Sequence, residues 1–222
     1  MSQVTIVGGG VIGLCCAYYL QKEGHEVTVI ERGDITDGTS FGNAGYISPS
    51  HFIPLASPGI VAQGLRWMLS SSSPFYIKHL NNILQLSREL TTEMKNELGN
   101  TFRMEEIGCF LLYKTEKTEK HEIHLGELAK QFNIETRVYN ANEVQAMEPE
   151  VEVNVRGGIL YPIDAHMHPG DFMKTVKEHL QKSGVKLQLN TNVTGFEKSN
   201  GKVTAVITDK GKFECGELVL AN

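Results

Sequence analysis

Three glycines at fixed spacing, Gly8-x-Gly10-x-x-Gly13, and one carboxylate, Glu31, 18 residues further on (31 − 13), are the groups best placed for chemistry. Such a turn between a strand and a helix, followed by an acidic residue ending the next strand, suits a dinucleotide. Gly8 permits the tight turn, Gly10 lets the backbone approach a pyrophosphate, and Gly13 lets the helix sit close to the strand. The open amides and dipole of the helix start attract phosphate. Glu31 can accept hydrogen bonds from ribose hydroxyls and would repel a 2′-phosphate, which argues against NADP. The fingerprint alone leaves NAD and FAD both open. His166-x-His168 suggests a metal pair, but alternate residues of an extended strand point to opposite faces and no third ligand stands nearby, so no metal is expected. Cys15, Cys16, Cys109 and Cys215 show no metal spacing. Cys15 and Cys16 read as small packing residues of an apolar helix. Arg66, Tyr113 and Tyr161 are further polar candidates that spacing does not place.

These residues need elements to hold them. Val4–Val7 reads as a buried parallel strand, Val11–Lys22 as a helix closed by Gly24, and Val27–Ile30 as a second strand, together a βαβ unit. Residues 32–58 are rich in Gly, Ser, Thr, Asn and Pro, and a loop of that length is usually functional. Helices are expected over 59–69, 75–98 and 116–132, and strands over 108–113 and 158–161. Asn140-Ala-Asn-Glu143 has the form of a capping box. Pro169-Gly-Asp171 opens a helix to about Lys182, with Phe172, Val176 and Leu180 on one face. Strands are expected over 185–189, 193–197, 203–208 and 213–220, with Asn200-Gly201 as a hairpin turn.

The chain has 222 residues, 41% of them hydrophobic, and a formal net charge of −5. That composition is globular, lacks the basic footprint of a nucleic-acid binder, and contains no apolar run near the roughly 18 residues of a membrane helix. No signal-peptide pattern opens the sequence, so a reducing, cytoplasmic location is expected.

Beyond the glycine turn, the run Thr39-Ser-Phe-Gly-Asn-Ala-Gly-Tyr-Ile-Ser-Pro49 resembles the second flavin-contacting loop of the D-amino acid oxidase / glycine oxidase superfamily, most closely bacterial FAD-dependent D-amino acid dehydrogenases. The resemblance continues through Pro54-Leu-Ala-Ser-Pro-Gly59, Leu65-Arg-Trp-Met68, Glu143-Val-Gln-Ala-Met-Glu-Pro149, Gly157-Gly158 and Asp164-Ala-His-Met-His-Pro-Gly170. It implies an α/β chain: a Rossmann-type FAD-binding fold over 1–50 and 168–222, interrupted by an incomplete α+β substrate domain over 51–167. Carried over by position, it implies that Val11 and Ile12 flank the pyrophosphate turn and that Glu31, with Arg32 beside it, holds the adenosine ribose. Thr39 and Ser40 would meet the phosphates, Asn43, Ala44, Gly45 and Tyr46 would run near the flavin, and the Val193 backbone would meet the adenine.

The implied chemistry is hydride transfer from the α-carbon of a D-amino acid to flavin, giving an imine that hydrolyses to a 2-oxo acid. The implied electron acceptor is a quinone. The rivals are a glycine- or sarcosine-type oxidase using O₂ and a non-catalytic flavin-binding protein. Because some relatives deliver electrons to membrane quinones, the apolar helix 75–98 is a candidate peripheral contact with the inner face of the membrane. In the family, the Arg that clamps the substrate carboxylate usually lies later than the closing Leu-Val-Leu-Ala-Asn222. The chain therefore reads as an N-terminal portion, expected on its own to bind FAD weakly or not at all and to oxidise no D-amino acid.

Overall fold

A computed structural model describes residues 1–50, 77–130 and 132–221. The expected helix over 59–69 and Arg66 lie outside the described residues. The chain divides into two compact units. The first comprises Met1–Gly45, Leu98–Arg103 and His168–Asn222, and the second Tyr46–Glu97 and Met104–Met167.

The first unit is built on β1 (Gln3–Val7), α1 (Val11–Lys22) and β2 (Glu26–Ile30). Val4, Ile6, Val7, Val27, Val29 and Ile30 are all buried, as expected for strands covered on both faces. Strand β2 pairs in parallel with β8 (Lys186–Gln188), and β1 in parallel with β12 (Glu217–Leu220), so the sheet order is β12-β1-β2-β8. The chain steps outward from β1 to β2 and β8, then returns to the other side of β1. That reversal leaves a crevice at the carboxyl ends of the strands, where open α/β sheets bind ligands.

Helix α5 (Pro169–Lys182) packs beside α1. Its Phe172, Met173, Val176 and Leu180 are buried, and the His179 ring lies 5.4 Å from that of Tyr18 on α1. His168 caps α5, its Nδ1 accepting from the Asp171 amide at 3.1 Å. The Arg103 guanidinium, 2.6 Å from Asp171, holds that carboxyl below its usual range. His168 thus serves as a helix cap and not as the second residue of an extended strand pair. On α1, burial and then the neighbouring Cys16 push the Cys15 thiol up to about 12, which fits an inert packing residue.

The chain then makes an antiparallel sheet from β9 (Val193–Ser199), β10 (Lys202–Thr208) and β11 (Gly211–Glu214). Asn200 and Gly201 both take positive φ, 50° and 77°, the geometry of a tight two-residue hairpin. Val206 and Cys215 pack on Val7 and Ile30. The single strand expected over 213–220 is in fact two. Residues up to Glu214 pair with β10, and Glu217 onward pairs with β1. The change of sheet falls at Cys215-Gly216, where a Cβ on Gly216 would sit 3.0 Å from the Gln3 carbonyl oxygen.

The second unit holds an antiparallel sheet of β4 (Cys109–Tyr113), β6 (Gly157–Tyr161) and β5 (Arg137–Asn140), in the order β4-β6-β5. Strand β5 was not expected; its four residues are too short and too exposed to alternate clearly. It leads into α4 (Ala141–Met147) through the expected capping box. The Asn140 side chain accepts from the amides of Asn142 and Glu143, and Glu143 accepts from the Asn140 amide. Ala129, Ile134, Ile159 and Tyr161 form the core, with Leu84 of α2 (Ile77–Leu98) against it; Ala129 lies on α3 (Glu116–Lys130). Burial, then the Glu122 and Asp164 charges, push the Tyr161 hydroxyl up to about 12.

A two-residue ladder joins β3 (Tyr46–Ile47) to β7 (Ala165–His166). It is secured by the buried Asp164, whose carboxylate accepts from the Ser50 amide at 3.0 Å and from the Ser50 hydroxyl at 2.6 Å. Among the described residues, no helix is long and apolar enough to cross a membrane, and no group of His, Cys, Asp and Glu could hold a metal ion.

Candidate dinucleotide site

The carboxyl ends of the four parallel strands converge through backbone hydrogen bonds. The Gly8 amide donates to Ile30, Glu31 to Gln188, Thr191 to Glu31 and Ala221 to Val7. Above them lies a cavity of about 1060 Å³ within the first unit. That volume lies just above the roughly 300–1,000 Å³ typical of small-molecule and cofactor clefts, which suits an extended ligand.

The floor is the glycine turn. Gly8 has φ 111°, a conformation open chiefly to glycine. A Cβ on Gly13 would lie 1.9 Å from the Gly8 carbonyl oxygen, so the first turn of α1 sits directly on the turn that precedes it. No side chain caps α1 in the usual way, and its first turn carries no acid. The first four amides of a helix have no carbonyl of their own helix to bond. One of them is taken by a neighbour: Val11 N–H donates to Ser40 Oγ at 3.0 Å. The rest of that turn is a ready-made anion site.

Glu31 is held more tightly than its spacing suggests. One carboxylate oxygen accepts from the Gly9 amide at 2.6 Å, and the other accepts from the Gly33 amide at 2.8 Å. The carboxylate therefore ties the end of β2 to the glycine turn. Each oxygen keeps a second lone pair for a ribose hydroxyl. Gly9, which the motif leaves unspecified, is also closely packed. A Cβ there would meet Ile35 Cδ1 at 2.8 Å and Glu31 Cγ at 2.9 Å. Ile35 has φ 61°, a genuine outlier for a β-branched residue, and is buried against this turn.

Of the fourteen residues expected at the site, the cavity is lined by Gly8, Gly10, Val11, Ile12, Glu31, Arg32, Thr39, Ser40, Asn43 and Val193. Gly13 lies behind the turn. Ala44, Gly45 and Tyr46 are not in the cavity wall. The Asn43 side chain works within its own loop, donating to the Ser40 carbonyl at 2.9 Å and accepting from the Gly45 amide at 2.7 Å. Sequence reasoning missed Gly9, Ile35, Met173, Thr191, Asn192 and Ala221 in the lining. Ala221 could have been found from its place just after a strand parallel to β1. Met173 could not, because its neighbours mark α5 only as a packing helix.

A family model described as DAO, FAD dependent oxidoreductase, matches residues 3–222. The D-amino acid dehydrogenase of Helicobacter pylori (strain ATCC 700392 / 26695) is 30% identical over 246 residues, covering 99% of this chain and 59% of that protein. Among solved structures, glycine oxidase from Geobacillus kaustophilus superposes with a TM-score of 0.80 at 21% identity, over 100% of this chain and 56% of that one. L-proline dehydrogenase from P. horikoshii superposes with a TM-score of 0.78 at 23% identity, over 100% and 52%. At these identities the structures speak for the fold. The chain spans about three fifths of the length of the curated relatives it matches.

Proposed function

Because this chain belongs to the DAO family of FAD-dependent oxidoreductases, we propose that its glycine-turn cavity holds FAD for oxidation of the CH–NH group of a D-amino acid. The observation that carries the reading is the joint presence of two things: a pyrophosphate-ready turn with Glu31 clamped at its rim, and similarity to proteins named D-amino acid dehydrogenase. In this reading the first-turn amides of α1 and the Thr39 and Ser40 segment hold the pyrophosphate, and Gly10 leaves room for its approach. Glu31 and Arg32 hold the adenosine ribose, and the Val193 backbone meets the adenine. Ala44, Gly45 and Tyr46 extend the loop toward the flavin. Bound FAD supplies a two-electron acceptor for the hydride leaving the substrate α-carbon.

We further assign a quinone as the electron acceptor, in keeping with relatives named as dehydrogenases. The exposed Ile83 and Leu86 on α2 support a peripheral membrane contact.

The test has two arms. FAD titrated into the purified product of the longest open reading frame containing this chain should lose fluorescence saturably, and the visible bands of bound flavin should appear; unchanged fluorescence refutes the cofactor site. In the longest open reading frame containing this chain, D-amino acids should reduce a quinone dye without releasing peroxide. Peroxide release in place of dye reduction, or a preference for L-amino acids, refutes the assignment of reaction.

A further inference from the structure

We propose that Ile35 is a positioning residue for the ribose end of the cofactor cavity: a strained backbone holds its side chain against Gly9 and Glu31, and that packing keeps the Glu31 carboxylate in place. The inference rests on the FAD reading above and deepens it by naming a residue outside the glycine motif on which the site depends.

Ile35 has φ 61°, in the left-handed region where a branched side chain is crowded by its own backbone. Among the described residues, Asn133, Asn190 and Asn200 also take positive φ, and asparagine tolerates it. Glycine or asparagine would suit the backbone at position 35 better than isoleucine does. Such a conformation persists where its surroundings over-determine it, and here the neighbours on both sides are tied. The Gly33 amide donates to Glu31, and the Gly33 carbonyl accepts from the Asn190 amide at 2.9 Å. The Asp34 carbonyl accepts from Lys177 Nζ at 2.6 Å, which anchors the turn to α5. The Asp34 carboxylate accepts from the Thr36 amide at 3.1 Å and from the Thr36 hydroxyl.

What this backbone secures is the place of the side chain. Ile35 is buried and forms part of the cavity wall. Its Cδ1 and Cγ1 converge with Glu31 Cγ on one point above Gly9, lying 2.8, 2.9 and 2.9 Å from where a Gly9 Cβ would stand. The Gly9 and Gly33 amides fix the Glu31 carboxylate; Ile35 backs the methylene arm that carries it. A glutamate immobilised beforehand loses less side-chain freedom when it meets a ribose. The apolar wall also lowers the local dielectric, which strengthens the two amide–carboxylate bonds.

Calorimetric titration of ADP, which carries the adenosine and pyrophosphate of the cofactor without its flavin, tests the proposal. The protein is the product of the longest open reading frame containing this chain, dialysed free of flavin. Ile35→Gly should weaken ADP binding about tenfold, a coupling typical of side chains in contact. Ile35→Val, which restores a branched side chain, should recover most of the loss. Because Ile35 acts through Glu31, the double variant Ile35→Gly with Glu31→Gln should bind no more than about twofold more weakly than Glu31→Gln alone. In thermal melts Ile35→Gly should be at least as stable as Ile35→Ala, the reverse of their order at an unstrained position. Should Ile35→Gly fail to fold, Ile35→Asn, which also suits this backbone, takes its place with the same expected loss. ADP affinity within twofold of wild type, fully additive losses in the double variant, or Ile35→Ala melting above Ile35→Gly each overturns the proposal while leaving the cofactor reading intact. A wild-type protein that takes up neither ADP nor FAD overturns both.

Discussion

Glu31→Gln separates two roles that the sequence gives to one residue. If Glu31 served only a ribose, the unliganded chain would not feel its loss. The structure instead has its two oxygens accepting from the Gly9 amide at 2.6 Å and the Gly33 amide at 2.8 Å. Glutamine keeps the shape but turns one acceptor into a donor facing an N–H. That leaves one part-buried amide unsatisfied, at about 1–3 kcal/mol. It also converts the surviving bond from charge-assisted to neutral, at about 1 kcal/mol more. The expected destabilisation of the FAD-free chain is therefore about 2–4 kcal/mol, or roughly 4–16 °C in melting temperature for a protein of this size. Urea titration of wild type and variant, with no flavin present, measures it. A loss below about 0.5 kcal/mol, the scatter of an ordinary surface substitution, would refute the clamp and leave Glu31 as a ligand contact only. If the clamp is real, FAD affinity should fall in the same variant, because the glycine turn loses its fixed position.

Two further outcomes follow from the geometry. Gly13→Ala should fail to give a folded chain, or should lose more than about 3 kcal/mol, because its methyl would lie 1.9 Å from a backbone oxygen; the roughly 1 kcal/mol gain in helix propensity cannot offset that clash. Circular dichroism melts decide it, and a stable variant would refute the close packing. Hydrogen bonding from Lys95, helped by Thr92 and Arg88, holds the Glu106 carboxyl below its usual range. Its folded pKa is therefore depressed, so its contribution to stability is complete above the ordinary glutamate range and is lost as pH falls through the folded pKa. Wild type should lose stability more steeply than Glu106→Gln as pH drops below that range, and parallel acid-unfolding profiles would refute the ion cluster.

Much of the first unit was legible because its signals are local. The β1–turn–α1–β2 unit follows from a β-branched run, three glycines and one helical period, all within thirty residues. Helix α5 announces itself by Pro at its first position and an apolar face, and the hairpin by Asn200-Gly201. What escaped is decided by partners distant in sequence. Nothing in Phe213–Leu220 says that its two halves join different sheets; that follows from the close approach of Gly216 to Gln3. The two-residue strands β3 and β7 are too short for any period and exist because Asp164 holds Ser50, 114 residues away. Gly9 looks like a free position in the motif until the Glu31 and Ile35 side chains close around it.

The parallel pairing of β1 with β12 also sets a clock. Val4 sits beside Glu217, a separation of 217 − 4 = 213 residues. At a synthesis rate of about 5–20 residues per second, β1 waits roughly 10–40 s after leaving the ribosome tunnel before its second neighbour exists. For that interval Val4, Ile6 and Val7, all buried in the finished sheet, have one flank unpaired. Long-range parallel pairing is intrinsically slow, so nascent chains of this fold should depend on chaperones that shield a single apolar strand, and slowed translation late in the message should lower the yield of folded protein.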